Sequence, residues 1–281
     1  MVDVVLKWGS RPESAVSRIV IKLGGALITR KDGSKTFRSG AVKTVAALAL
    51  DMTNRGKDVV LVHGAGSFGH RDARKARLTE GLIASIEDRQ RTAVREVRSS
   101  MTELNEMVVG VLEEHGCNCK VHPPRDWASG TGPEFEGDIS RFGGSGVIHV
   151  TFGDIVDVPG KREFGVLSGD HLMERISTGL SDVDKVLFLL NGIDGLHDRD
   201  PVEPDSRLIS SVSEGTDYKT SLNRDKDVTG GMKLKVDVAL RIAQIVPLVA
   251  FVNGLNAKNI EALLSDGEFT GTVFRSANNH Q

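Results

Sequence analysis

The stretch VVLVHGAGSFGH, residues 59–70, carries the strongest fold signal in the chain. Four apolar residues lead into Gly64, Gly66 and Gly69, so the stretch predicts a buried strand that ends in a tight glycine turn. The three glycines also match the G-x-G-x-x-G pattern of dinucleotide-binding turns. The turn therefore poses a choice between a dinucleotide and a different phosphate ligand.

The residues after the turn argue against a dinucleotide. In a dinucleotide-binding unit, an acidic residue normally follows about 20 residues after such a turn, at the end of a second strand. Glu87 and Asp88 lie near that position, but they interrupt a helical pattern and no apolar strand precedes them. The turn is not a P-loop either, since His70 follows Gly69 where a P-loop has Lys. An NAD-dependent enzyme stays an open but less favoured alternative.

Predicted strands and helices alternate along the whole chain. Apolar, β-branched runs predict strands, and apolar residues at helical spacing predict the helices between them. The expected strands are 18–22, 58–64, one near Lys120, 146–152, 185–190, 247–254 and 271–275. The expected helices are 40–56, 83–115, 170–179, 232–244 and 256–264. This alternation predicts a doubly wound α/β fold with a mostly parallel central sheet covered by helices on both faces.

Length and charge narrow the class of function. A chain of 281 residues can bury a core without disulfides or structural metals. A formal net charge of -2 with mixed signs argues against general nucleic-acid binding. No apolar run approaches the roughly 20 residues of a membrane span, and the first residues lack the apolar core of a signal peptide. We therefore expect a cytoplasmic protein that acts on small molecules, with no nucleic-acid or membrane partner.

The stretch HGCNCKVH, residues 115–122, brings four possible zinc ligands, two Cys and two His, close together in sequence. A strand at this point places Cys117 and Cys119 on one face and His122 on the other, which does not suit a shared metal ion. We therefore expect free thiols, as in a reducing compartment, and no metal site.

A second glycine turn follows the first predicted strand, in KLGGALITRK at residues 22–31. Lys22 precedes Gly24 and Gly25, and Lys31 follows them. Loops at the carboxyl ends of parallel strands converge on one crevice, where helix N-termini present N–H groups to anions. Two glycine turns on successive strands therefore suggest two phosphate groups that face each other.

Two later elements repeat this chemistry. In DVTGGMKLK, residues 227–235, a predicted helix starts at a Gly-Gly pair with two lysines in its first turns. In GVLSGD, residues 165–170, Asp170 opens a helix, where a carboxylate can hold lysine ammonium groups. Taken singly, a helix cap explains Asp170 and a strand-end lysine can extend to solvent. Taken together, the four turns indicate an anion-binding site.

These motifs are similar to those of the amino-acid kinase superfamily and, within it, of the isopentenyl phosphate kinases. The resemblance covers nearly the whole chain after about Ser17. It is carried by IVIKLGGALITRK, VVLVHGAGSFGH, FGDIV, GVLSGD, DVTGGMKLK, FVNG and GTVFR. The GSFGH ending discriminates best, because it resembles the kinases that act on a phosphate or phosphonate acceptor rather than on a carboxylate.

The resemblance implies a homodimer that uses ATP and Mg²⁺ to phosphorylate isopentenyl phosphate. The product is then isopentenyl diphosphate, within isoprenoid biosynthesis by an alternative mevalonate route. Two alternatives stay open: a fosfomycin-kinase-like enzyme for another small phosphate or phosphonate, and a non-catalytic nucleotide-binding protein with the same fold.

The resemblance also implies roles for individual residues. It assigns Lys22 and Lys235 to stabilising the transferred phosphoryl group, and Lys31 to a phosphate contact. It assigns His70 to holding the acceptor phosphate, and Asp170 to orienting the catalytic lysines. The other residues implied for ATP binding are Gly24, Gly25, Asn191, Asp194, Gly230 and Gly231. The other residues implied for acceptor binding are Ala65, Gly66, Ser67, Gly69, Ser168 and Gly169.

The same resemblance divides the chain. Residues 1–17 are expected to be an N-terminal extension and residues 18–281 a single domain, in which 18–180 mainly bind the acceptor and 181–281 mainly bind ATP. The polar segment 197–227 predicts an excursion or lid outside the core. Asn191-Gly192-Ile193-Asp194-Gly195 stands where the family usually has Thr-Asp-Val-Asp-Gly, which leaves the adenine and ribose contacts open.

Overall fold

The predicted alternation of strands and helices is present in the computed structural model of the chain, which describes residues 17–30, 32, 35–216 and 231–276. The strands are β1 Arg18–Leu23, β2 Asp58–His63, β3 Cys119–Val121, β4 Ala128–Ser129, β5 Glu136–Gly137, β6 Ile148–Phe152, β7 Asp154–Val158, β8 Glu163–Leu167, β9 Val183–Leu190, β10 Ser211–Val212, β11 Leu248–Asn253 and β12 Thr272–Phe274. The helices are α1 Gly25–Ile28, α2 Gly40–Asn54, α3 Gly66–Lys75, α4 Glu87–Glu114, α5 Gly169–Gly179, α6 Gly231–Ile242 and α7 Ala257–Leu264. None of the helices in these ranges is long and apolar enough to cross a membrane.

Eight strands form the central sheet, in the order β10-β12-β11-β9-β1-β2-β6-β3. Every neighbouring pair from β11 to β3 is parallel, and the sheet turns antiparallel only between β11 and β12. Strands β1 and β2 are buried along their whole length, as expected for parallel strands covered on both faces. This is the doubly wound, mostly parallel α/β architecture that the sequence predicts.

The two faces of the sheet have separate cores. Ile19 and Ile21 pack in the core that includes residues of α2 and α4, whereas Val20 packs in the core that includes residues of α5 and α6. Side chains alternate between the faces of a strand, so Lys22 shares the face of Val20. This alternation directs Lys22 toward the side of the sheet that α5 and α6 cover.

A second sheet, with the strand order β5-β4-β7-β8, is not predicted from the sequence. Its longest members, β7 and β8, form an antiparallel pair of five residues each. Asp154, Asp157 and Glu163 interrupt the apolar pattern there, and β4 and β5 have only two residues each. Short strands with charged residues resemble loop sequence, which explains why the pattern does not reveal them.

Several predicted boundaries need correction. The helix expected from residue 83 begins at Glu87, because residues Ala84–Ile86 form a separate 3₁₀ turn. The segment expected to be a polar excursion contributes β10 to the edge of the central sheet, where Val212 is buried. Residues 217–227 of that segment lie outside the described residues.

The cysteine–histidine stretch is arranged differently from the expected strand. Only Cys119 lies in β3, and Cys117 precedes it, while His122 turns inward and bonds to His149 with 2.9 Å between the ring nitrogens. Both cysteines are free thiols. Within the described ranges, no group of three or more His, Cys, Asp or Glu side chains is placed to hold a metal ion.

Candidate active site

The residues singled out in the sequence meet at one edge of the central sheet. Strands β9, β1 and β2 lie side by side and run in the same direction. The glycine turns after β1 and β2 and the segment after β9 therefore leave the sheet at the same edge. Helix α5 follows β8, and its first residues pack against this edge. A Cβ atom on Gly169 would lie 3.5 Å from Lys22 Cε.

The two glycine turns touch through their backbones. A Cβ atom on Gly25 would lie 2.3 Å from the backbone nitrogen of Gly66, and one on Gly64 would lie 2.7 Å from the nitrogen of Gly25. Gly66 also has φ = +50°, a conformation that favours glycine. Thr29 ties the turns together, because its Oγ1 accepts a hydrogen bond from the Ser67 amide at 3.0 Å. The contact brings the first turns of α1 and α3 together.

We expect Gly25→Ala to destabilise the fold by about 1–3 kcal/mol and to impair any ligand binding at this edge, because the added methyl group displaces a backbone rather than a side chain. Thermal unfolding measures the first effect. Gly40→Ala is the matched control, since a Cβ at Gly40 meets nothing within 4 Å. Equal unfolding midpoints for Gly25→Ala and the wild-type protein would show that the two turns do not need this contact.

Two lysines share one carboxylate beside the turns. Lys22 donates a hydrogen bond to Asp170 Oδ1, and Lys235 Nζ lies 3.6 Å from Asp170 Oδ2. The Asp170 and Lys22 side chains are buried, whereas that of Lys235 keeps 21% of its surface exposed. Lys235 also donates to the Gly231 carbonyl at 2.9 Å, which holds it against the first turn of α6. The arrangement places two ammonium groups on one carboxylate, with one of them reaching toward solvent.

The shared carboxylate controls the charge of the site. Burial, with a smaller contribution from the Lys235 ammonium, lowers the pKa of Lys22 to about 8 against the opposing effect of Asp170. The Phe188 ring, whose centroid lies 5.9 Å from Lys22 Nζ, contributes to that burial. Burial alone raises the pKa of Asp170, but the two ammonium groups outweigh it and the pKa is lowered. Asp170 is therefore ionised and keeps Lys22 charged near neutral pH.

Lys235 and Lys233 differ clearly in position, although both lie in the first turns of α6. The Lys233 side chain is 70% exposed and pairs with Asp237 at 2.7 Å. Of these two lysines, Lys235 is the one that approaches Asp170. The structure therefore brings together Lys22, Lys235 and Asp170, and the catalytic roles inferred for them stay predictions.

His70 lies in α3, which follows β2, and β2 and β9 flank β1 on its two sides. Its side chain is exposed, and desolvation by its surroundings followed by the charges of Lys235 and Lys22 lowers its pKa. The histidine is thus within electrostatic range of both ammonium groups. In the first turn of the same helix, the buried Ser67 Oγ has no hydrogen-bond partner among the described residues. An imidazole and an unpaired hydroxyl at a helix N-terminus suit an anionic ligand.

Two other predicted acceptor-binding residues, Gly69 and Ser168, make contacts within the protein. A Cβ on Gly69 would lie 3.0 Å from Ala65 Cβ and 3.2 Å from Met101 Sδ, so this glycine permits close packing of α3 on α4. Ser168 Oγ accepts a hydrogen bond from the Asp170 amide at 3.1 Å and caps α5. These contacts explain Gly69 and Ser168 without a ligand, and a ligand contact by either residue is still a prediction.

The residues after β9 form the other side of the edge. Asn191 follows the strand directly, and its Oδ1 accepts a hydrogen bond from Arg38 Nη1 at 3.4 Å. Asp194 Oδ1 accepts one from Asn253 Nδ2, at the end of β11, at 3.1 Å. Lys31 and Gly230, which the sequence places in the same site, lie outside the described residues. Sequence reasoning missed Arg38, whose only signal was a cluster of basic residues after the first glycine turn.

Comparison with known proteins decides the family. The model of the amino acid kinase family matches residues 17–249. The chain belongs to the amino acid kinase family. It is 30% identical over 266 residues to the isopentenyl phosphate kinase of Methanothermobacter thermautotrophicus, covering 90% of this chain and 97% of that protein. Identity to the isopentenyl phosphate kinase of Thermoplasma acidophilum is 27% over 259 residues, covering 92% and 100%.

Similarity to a solved structure agrees with this assignment. An X-ray structure of an isopentenyl phosphate kinase matches with a TM-score of 0.77 at 26% identity, covering 92% of this chain and 99% of that one. The resemblance to the isopentenyl phosphate kinases is thereby confirmed, and so is the prediction that this member of the family is a phosphotransferase.

The family assignment also answers the question raised by the glycine pattern. Glu87 and Asp88, the residues nearest to the position of a dinucleotide-binding carboxylate, open helix α4 and do not end a strand. The glycines at positions 64 and 66 are required by contact with the turn after β1. In this kinase the G-x-G-x-x-G match therefore reflects backbone packing at the site, not a dinucleotide-binding fingerprint.

Proposed function

We propose that this kinase transfers the γ-phosphoryl group of ATP to isopentenyl phosphate and yields isopentenyl diphosphate and ADP. The observation that carries the proposal is the pair of ammonium groups on Asp170, placed where two glycine turns meet. The named relatives and the similar X-ray structure support isopentenyl phosphate as the acceptor. The polyanionic character of both substrates fits a site built from lysines and helix N-termini.

The main task of the protein groups is to offset charge repulsion. Two like unit charges about 4 Å apart repel by on the order of 4 kcal/mol at an effective dielectric constant near 20. Lys22 and Lys235 lie beside the edge where the two anions meet and stabilise the charge on the transferred group. An acceptor phosphate oxygen is already a competent nucleophile, so no protein group has to remove a proton. Asp170 acts by holding both lysines in position.

The acceptor phosphate is proposed to bind at the start of α3. His70 donates an N–H to it, and the unpaired Ser67 hydroxyl supplies a second donor. The lowered pKa of His70 describes the site before the anion binds. A phosphate dianion raises that pKa again, because it favours the charged imidazole.

Magnesium is proposed to enter with the nucleotide. Mg²⁺ is usually held by one or two carboxylates together with substrate phosphates. Asp170 is paired with two lysines, so the nucleotide phosphates are proposed as the main ligands of the ion. When bound, Mg²⁺ neutralises charge on the nucleotide phosphates. A homodimeric assembly and a cytoplasmic location are further proposals, supported by the family resemblance and, for the location, by two free cysteines.

We expect His70→Ala to lower kcat/KM for isopentenyl phosphate by about tenfold to a hundredfold, which corresponds to one lost hydrogen bond to a charged group. The KM for ATP is expected to stay unchanged, since His70 lies on the acceptor side. Steady-state kinetics with each substrate varied in turn measures both effects. His70→Asn keeps an N–H donor and is expected to recover part of the activity. A selective increase in the KM for ATP would place His70 on the donor side instead.

A panel of acceptors tests the proposed substrate. ADP release is measured with ATP and with isopentenyl phosphate, dimethylallyl phosphate, a small alkyl phosphonate, glutamate or no acceptor. The proposal predicts the highest kcat/KM for isopentenyl phosphate and no release with glutamate above the level without acceptor. A higher kcat/KM for the phosphonate would favour the alternative phosphonate kinase. Equal release with every acceptor, or none at all, would contradict the assignment.

A further inference from the structure

A cavity of about 500 Å³ lies beside the site and is lined by Arg30, Asp32, Arg38 and Asn191. Its volume falls in the range of small-molecule sites. Three of the four lining side chains are charged, and none of these three belongs to the lysine and histidine cluster described above. The cavity therefore needs its own explanation.

Both arginines come from a short hairpin after α1. Thr29 and Phe37 form an antiparallel bridge, and the amides of Arg30 and Arg38 donate to Thr36 O at 3.0 Å and Ile28 O at 2.8 Å. Because side chains alternate along extended chains, the arginines share one face of the hairpin and Thr29 lies on the other. The Thr29 hydroxyl contacts both glycine turns, so the hairpin that carries the arginines lies beside them.

Among the four lining residues that the structure describes, the positive charges outnumber the negative ones. Arg30 pairs with Asp32 at 3.0 Å. Arg38 has no carboxylate partner within the described ranges, and the only hydrogen bond of its guanidinium there is the one to Asn191 Oδ1. A guanidinium has five N–H donors, so most of those on Arg38 are available to a ligand. A half-buried cation with free donors next to a cavity suits an anion with several oxygen atoms.

The sheet order identifies which substrate this anion belongs to. Asn191 follows β9, and β9 lies on the opposite side of β1 from β2, which leads into the Ser67 and His70 region. The acceptor phosphate is proposed to bind on the β2 side. The cavity on the β9 side is therefore left to the nucleotide.

We propose that Arg38 binds the phosphate chain of the nucleotide and that Asn191 positions it by accepting its Nη1–H. This inference rests on the proposed function and adds a phosphate-binding residue to it. It also gives a physical reason for Asn191, which stands where the family usually has Thr. The amide oxygen of Asn extends further from the backbone than the hydroxyl of the Thr usual in the family, and it accepts from the guanidinium here.

Binding of ADP to the full-length protein, measured calorimetrically without acceptor, tests the inference. Arg38→Ala is expected to weaken ADP binding by about tenfold or more, and Arg38→Lys by less, because Lys keeps the charge but loses the planar donors. AMP binding is expected to change much less, because AMP lacks the distal phosphates. Arg55→Ala is the matched control, since Arg55 is an exposed arginine paired with Asp51 at the end of α2.

A double-mutant cycle tests the positioning role. Asn191→Thr is expected to weaken ADP binding in the wild-type background and to have no further effect in the Arg38→Ala background. Equal effects in both backgrounds would show that Asn191 does not act through Arg38. Thermal unfolding identifies any variant that fails to fold, and Arg38→Gln then replaces Arg38→Ala.

The inference and the proposed function fail in different ways. Wild-type protein that binds ADP in an Arg38-dependent way but does not phosphorylate isopentenyl phosphate would contradict only the proposed function. ADP affinity that is the same in wild type and in folded Arg38→Ala would overturn the inference, whatever the acceptor. An Arg38→Ala variant with unchanged ADP affinity and an increased KM for the acceptor would assign the cavity to the acceptor.

Discussion

Asp170→Asn is expected to lower kcat by about 10²–10³-fold, the size of effect seen when a preorganised electrostatic group is lost from a transition state. The carboxylate is the shared counter-ion of Lys22 and Lys235, and Asn carries no charge to replace it. With the carboxylate gone, the two ammonium groups repel each other and Lys22 stays buried. Lys22 then loses its proton more easily, so the site loses charge as well as order.

The pH dependence separates this account from a simple loss of structure. In the wild-type protein kcat/KM is expected to fall above pH about 8, as Lys22 deprotonates in the free enzyme. Removing Asp170 removes the largest influence that raises the pKa of Lys22. The alkaline fall in kcat/KM is therefore expected to shift to lower pH in Asp170→Asn. Glu174→Gln is the control, because Glu174 lies one turn later in α5 and pairs with Arg241 at 2.6 Å. If kcat/KM falls at the same pH in Asp170→Asn and in the wild-type protein, the role of Asp170 is contradicted.

Lys235→Ala is expected to lower kcat by about 10²–10³-fold with little change in the unfolding midpoint. The side chain is partly exposed, so its removal leaves a small cavity, and Asp170 keeps Lys22 as a partner. The KM for isopentenyl phosphate is expected to change much less than kcat, because the interaction strengthens as charge develops on the transferred group. Steady-state kinetics and thermal unfolding measure these quantities.

Lys233→Ala is the matched control for this variant. The two lysines lie two positions apart in the same helix, but Lys233 is exposed and pairs with Asp237. Wild-type activity is therefore expected for Lys233→Ala. Equal losses of kcat in the two variants would show that α6 supplies only general positive charge. A loss of kcat in Lys233→Ala alone would show that Lys233, and not Lys235, acts in the site.

The residues of the site could be selected from the sequence because their signals are local. Glycine turns after apolar strands, and Lys or Asp at the ends of elements, are visible within a few residues, so Lys22, His70, Asp170 and Lys235 could be selected from sequence. Their arrangement depends on the fold. Lys22 and Asp170 are 148 positions apart, and they meet because alternation in β1 directs Lys22 toward α5. The doubly wound architecture was predictable because its central strands are continuous apolar runs.

The features that escaped prediction are those whose sequence resembles a solvated loop. The strands of the second sheet are short and contain charged residues. Arg38 lies in a polar segment, where an arginine normally indicates an exposed surface, and only the fold places it beside Asn191. The packing of α3 on α4 at Gly69 also escaped prediction, because it cannot be read from the GSFGH pattern alone.

The proposed reaction is phosphoryl transfer from ATP to the phosphate of isopentenyl phosphate. Phosphorus NMR of a reaction with ATP, Mg²⁺ and isopentenyl phosphate tests this reaction, because it observes the new phosphate–phosphate bond itself. We expect the monophosphate resonance to disappear and the coupled resonances of an organic diphosphate to appear in equal amount with ADP. Release of inorganic phosphate with ADP while isopentenyl phosphate is unchanged, or the absence of any ATP consumption, would contradict it.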